Sequence, residues 1–147
     1  MNIQQTAKIV SYLFLLLIII VSPLQAGEIR VTLKGDALTS APLYAELVMA
    51  DKTEWESPIQ QLQINISDKN PVFSFVDISE DFYAIRLFLD LDANGELNLT
   101  RRGMPLEPIG FSFCKPAKKS VPRPMDCSFF HDKANTEIEI NLIHLQR

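Results

Sequence analysis

From residue 27 onward the chain repeats one pattern: apolar side chains at every second position, in short runs broken by proline, glycine and polar residues. An extended backbone turns successive side chains to opposite sides, so each such run is a strand with one face to bury. Ile29, Val31 and Leu33 alternate with Arg30, Thr32 and Lys34, and Leu43, Ala45, Leu47 and Met49 repeat the pattern. A weaker run covers Leu62 to Ile66, and Val72 to Val76 follows. In the long run Phe82 to Asp90, Tyr83, Ile85, Leu87 and Leu89 share a face opposite Arg86. Ser128 to Phe130 and Thr136 to Ile143 complete about seven strands. No apolar run holds a 3.6-residue period over three turns, and prolines at 42, 58, 71, 105, 108, 116, 122 and 124 exclude long helices. Short strands without helices between them hide their apolar faces by stacking two sheets. The expected fold is therefore an all-β, antiparallel β-sandwich.

The N-terminus is of another kind. Ile9 to Val21 is almost wholly apolar and follows a short start whose only charge is Lys8. As a helix these 13 residues would reach roughly 20 Å, short of the ~30 Å hydrocarbon core of a bilayer. Ser22, Pro23, Leu24, Gln25 and Ala26 then supply a helix breaker and a small residue at the end, the features of a secretory leader's cleavage junction. The expectation is a signal peptide over 1–26, cleaved after Ala26, and one mature domain over 27–147 that is periplasmic or secreted. No cysteine stands at the junction to take a lipid, and the mature chain has no transmembrane segment.

Loss of Lys8 from the 14 basic residues leaves 13 against 18 acidic side chains, a net charge of -5, which argues against nucleic acid as a partner. Cys114 and Cys127 are the only cysteines. Their spacing matches no zinc pattern, and His131 and His144 do not complete a four-ligand set, so one disulfide is expected in an oxidising compartment.

Asp90-Leu91-Asp92-Ala93-Asn94-Gly95-Glu96-Leu97-Asn98 carries side-chain oxygens at loop positions 1, 3, 5 and 9, with glycine at 6. Calcium takes six to eight oxygens around a tight turn, and this spacing aims alternate side chains inward while the glycine makes the bend. Asp90, Asp92, Asn94, Glu96 and Asn98 are the candidate calcium ligands. Arg101 occupies position 12, where an EF-hand carries its bidentate glutamate, and a strand precedes the loop, so the motif is no EF-hand; Glu96 or Glu107 would have to substitute. The competing reading is a bare Asn94-Gly95 turn with solvated aspartates.

Between the cysteines, Lys115, Lys118, Lys119 and Arg123 put four positive charges into a proline-rich loop of an acidic chain. Such a loop is either a surface for an anionic partner or envelope component, or simply solvated. Trp55, in the polar stretch Asp51 to Pro58, either anchors a ligand or folds back over the core. Neither histidine belongs to a nucleophile signature, and no G-x-S-x-G or H-E-x-x-H motif occurs.

Taken in order, Tyr83-Ala84-Ile85 running into Asp90, then Asn94-Gly95-Glu96-Leu97-Asn98, Gly103-Met104-Pro105 with Glu107, and Gly110-Phe111-Ser112 resembles the bacterial domain-of-unknown-function family 2141. The resemblance implies an exported β-sandwich like transthyretin-like or immunoglobulin-like modules, with no known enzyme activity. Asp81 stands where the family commonly has glycine, and Asn98 where it has aspartate. Three functions follow as expectations. The leading one is a noncatalytic exported module that binds a partner or envelope component through its loops. The alternative is a calcium-stabilised structural accessory domain, and the third an extracytoplasmic hydrolase built on Asp90 and Asp92.

Overall fold

A computed structural model describes residues 27–35, 39–115 and 120–145. The expected leader, Lys118 and Lys119 lie outside the described residues. Eight strands form: β1 (Gly27–Lys34), β2 (Pro42–Met49), β3 (Gln60–Asn65), β4 (Val72–Ile78), β5 (Asp81–Leu89), β6 (Ile109–Phe111), β7 (Phe129–His131) and β8 (Thr136–Asn141). They make two sheets, ordered β4-β1-β8 and β3-β2-β5-β6, with β7 on β5 as well. β6 and β7 divide one edge of β5, at Arg86–Phe88 and Asp81–Tyr83 respectively.

The sandwich is the expected one in class, with two corrections. The strand count rises by β6, whose three residues are buried on both sides and show no alternation. The pairing is antiparallel except between β1 and β8, which run parallel from Ile29↔Thr136 to Lys34↔Asn141. β1 can take a parallel neighbour because the whole second sheet lies between them in sequence and serves as the crossover.

Alternation decides what packs between the sheets. Ile29, Val31 and Leu33 of β1, Phe73 and Phe75 of β4 and Ile138 and Ile140 of β8 meet Leu43, Ala45, Leu47, Tyr83, Ile85, Leu87 and Leu89 from the other sheet in one buried core. At one edge the sheets join: the Ile109 and Ile143 amides each donate to the other's carbonyl, at 2.9 and 3.0 Å.

A second, smaller core covers the outer face of the five-stranded sheet. Val48, Trp55, Ala84, Ile109, Phe111 and Cys127 are buried together there, with Val121 and Cys114 packed against them. Trp55 therefore folds back: its indole N–H donates to the Pro122 carbonyl at 2.7 Å, and its ring lies 5.3 Å from that of Phe111. Beneath it, Arg86 and Glu46, register partners on β5 and β2, form an ion pair whose side chains are only 16% and 8% exposed. The guanidinium sits 5.6 Å from the centre of the Trp55 ring.

Candidate metal centre

β5 carries its alternation to Leu89, and the Asp90 amide still donates to the Pro42 carbonyl at 2.9 Å, so the carboxylate of Asp90 is set by the end of a central strand. The chain then leaves the sheet. Ala93 and Gly95 take φ of 58° and 83°, which bends the backbone back over Asp90. Its two carboxylate oxygens accept the amides of Asn94 at 3.2 Å and Gly95 at 2.8 Å. Further on, Leu99 pairs with Pro105 in a small hairpin whose tip is Gly103, at φ 73°. That hairpin returns Glu107 to the strand end, where its carboxylate accepts the Leu91 amide at 2.8 Å and the Asn98 amide at 3.1 Å.

Asp90, Asp92 and Glu107 thus converge. One oxygen from each lies within 4.8 Å of the other two. Asp90 and Glu107 are 1% and 3% exposed, while Asp92 faces solvent. None of the three takes part in an ion pair among the described residues. Carboxylates at this separation repel one another, most where water is kept from Asp90 and Glu107 and least at solvent-facing Asp92. Each keeps lone pairs beyond those used by the amides, so a cation can be accepted without breaking the loop.

The other expected ligands are placed differently. The amide nitrogens of Asn94 and Asn98 donate to one oxygen of Asp92, at 3.1 and 3.0 Å, and the Asn94 side-chain oxygen accepts the Glu96 amide at 2.7 Å. They fix Asp92; turning the Asn98 amide over would present oxygen in place of nitrogen. Glu96 is exposed and outside the cluster. Glu107, read from sequence only as a substitute ligand, is the residue that closes the group.

Residues 31–139, from within β1 to within β8, match a family described as uncharacterised proteins conserved in bacteria, domain of unknown function 2141. The chain belongs to that family. No curated protein and no solved structure matches it. The residues that carry the family resemblance have local physical reasons here. Gly95 and Gly103 hold left-handed φ, and Glu107 satisfies two loop amides. A Cβ on Gly110 would stand 2.8 Å from Cγ2 of Ile140, because β8 crosses close to β6. The buried Ser112 hydroxyl accepts the Ile85 amide at 2.9 Å and donates to the Cys127 carbonyl at 2.6 Å. Asp81, the departure from glycine, accepts the Phe82 amide with its own side chain at 2.7 Å.

Cys114 and Cys127 form the expected disulfide, with Cα atoms 4.8 Å apart. Of the basic residues between them, Lys115 is exposed. Arg123 is paired with Asp126, its Nε 3.2 Å from a carboxylate oxygen. Hydrogen bonding to Arg123 holds Asp126 below the usual carboxylate range, and the same contact raises Arg123. Among the described residues no helix is long and apolar enough to cross a membrane.

Proposed function

We propose that this chain is a noncatalytic, exported β-sandwich module whose Asp90–Pro108 loop is held in shape by a calcium ion. The observation that carries the reading is the convergence of Asp90, Asp92 and Glu107 within 4.8 Å, two of them buried and none with a basic partner among the described residues. A hard divalent cation with oxygen ligands neutralises such a group, and loop carbonyls and water complete its shell. Catalysis is not part of the reading: the oxygens of Asp90 and Glu107 each hold a loop amide, which suits a cross-linking role. Export is supported by the apolar leader pattern and by the disulfide.

With three carboxylates and no bidentate closer from an EF-hand, a dissociation constant of about 0.1–1 mM is expected, suited to an exterior compartment. Ten millimolar calcium should then raise Tm by about 5–10 °C over a chelator control. Asp90→Asn combined with Glu107→Gln should abolish the rise while preserving side-chain shape. An unchanged Tm in the unmodified protein would remove calcium from the reading.

A second reading, binding of a protein partner, is favoured by one observation at the opposite end of the sandwich. Phe82 and Phe130 lie with ring centres 5.0 Å apart, and both are about half exposed. Paired aromatic rings left in water are suited to a partner's apolar surface. Capture of one defined envelope protein that is lost on Phe82→Ser with Phe130→Ser would support this reading.

A further inference from the structure

We infer that the loop after β7 and the first residue of β1 form a binding site for the chain's own processed α-amino group at Gly27. The inference rests on the export reading above, in which the leader ends at Ala26. Gly27 is buried and lies within the sheet, paired with Ile78 of β4. Chain ends are ordinarily solvated, so a buried residue at a cleavage junction is unusual.

What surrounds it is chemically specific. A Cβ on Gly27 would stand 2.6 Å from Nε2 of His131 and 2.7 Å from the carbonyl oxygen of Ala134, so only glycine fits. By standard backbone geometry the Gly27 nitrogen lies about 2.5 Å from that Cβ position, and hence within about 5 Å of both atoms. His131 is fully buried, and its Nδ1 is 2.7 Å from the Thr136 hydroxyl. Its Nε2 is the one buried side-chain polar atom among the described residues without a hydrogen-bond partner. A buried polar atom left unpaired is destabilising unless something supplies the bond.

Cleavage supplies it. Water adds across the Ala26–Gly27 amide; the carboxylate remains on the leader, and the Gly27 nitrogen takes up protons to become an ammonium. An amide has one N–H, whereas the ammonium has three donors for acceptors that already converge on this residue. With Nδ1–H donating to Thr136, Nε2 carries the free lone pair that accepts from the ammonium. Maturation therefore adds a contact that the unprocessed chain lacks, and it ties β1 to the β7–β8 connection.

The full chain is expressed in an exporting bacterial host, and the intact mass of the product reads its first residue. A second version, released from a fusion so that Ala26 remains attached, is the comparison, with the Cys114–Cys127 disulfide formed in each. The product is expected to begin at Gly27, with a Tm about 4 °C above that of the version retaining Ala26. Its His131 nitrogen resonances should show Nε2 as a hydrogen-bonded acceptor, shifted in the longer version. His131→Asn should remove the Tm difference between the two lengths. A product with a different first residue would overturn the processing step. Equal Tm and identical His131 resonances in the two lengths would overturn the amine site, whatever the first residue proves to be.

Discussion

Replacing Arg86 with methionine should destabilise the protein by about 3 kcal/mol, and most of that loss should return when Glu46 is replaced by leucine in the same molecule. The structure sets the size. Glu46 is 6% exposed overall, and among the described residues its only other side-chain bond is from the Gln61 amide, at 3.3 Å. Without the guanidinium, a carboxylate stays under the Trp55 loop with its charge uncompensated, the situation that costs about 3–5 kcal/mol when a buried pair is broken. The lower end applies because Arg86 lies at the margin of the small outer core, where some water can reach the vacated space. Loss of the contact with the Trp55 ring adds about 0.5–1 kcal/mol within that total. In a chain of this size the Tm should fall by about 10–15 °C. The double variant buries two apolar side chains instead and should fall within about 1 kcal/mol of the parent. Urea unfolding followed by the fluorescence of the single tryptophan gives all four corners of the cycle. The coupling should persist at 0.5 M salt, since a buried pair is weakly screened. Additive losses, or an Arg86→Met cost below about 1 kcal/mol, would refute the reasoning.

Other perturbations have equally definite outcomes. The Tyr83 hydroxyl donates to the Ser79 carbonyl at 3.0 Å, and burial, then the nearby Asp81 carboxylate, push the phenol above its ordinary value of 10.0. The folded state thus favours the neutral phenol: its contribution is complete below pH 10 and is lost as pH climbs through the raised folded-state value. Tyr83→Phe should cost about 1 kcal/mol at neutral pH and flatten the alkaline limb of a Tm–pH curve. Gly110→Ala should cost about 1–3 kcal/mol in urea unfolding, since the added methyl meets both Ile140 and the Asn141 carbonyl. Reduction of the Cys114–Cys127 bridge, which closes a separation of 13 residues, should lower stability by about 3 kcal/mol in thermal unfolding with and without reductant.

Much of the sandwich is legible in sequence because strands such as β1 and β8 bury one face, and alternation such as Ile29-Val31-Leu33 reports that directly. β6 escapes detection because Ile109, Gly110 and Phe111 are buried on both sides, leaving no period to see. A signal for the outer core does exist: in β5, Ala84 and Phe88 are apolar as well as the inward set, and a strand apolar at both parities is covered on both faces. The parallel β1–β8 pair leaves no local trace, since register between distant strands is decided by packing. The candidate site divides in the same way. Asp90 and Asp92 belong to a readable spacing, whereas Glu107 joins them only through the Leu99–Pro105 hairpin, which no pattern near Asp90 announces. In sequence His131 completes no ligand set and no nucleophile signature, and its unpaired nitrogen emerges only when β1 is laid beside it.

The placement of β1 governs when the molecule can exist as a folded object. Its two neighbours are β4 and β8, and the second of these contains residues 136–141, more than a hundred positions away. A three-stranded sheet whose middle member is made first and whose outer member is made last stays open throughout synthesis. Contacts of such long separation form slowly, since the loop must close before the pairing rewards it. Under the proposed export, in which the chain is threaded through a membrane pore as an extended polymer, that delay is protective. The leading strand can pair early only with β4, and its sheet is completed only once β8 is available.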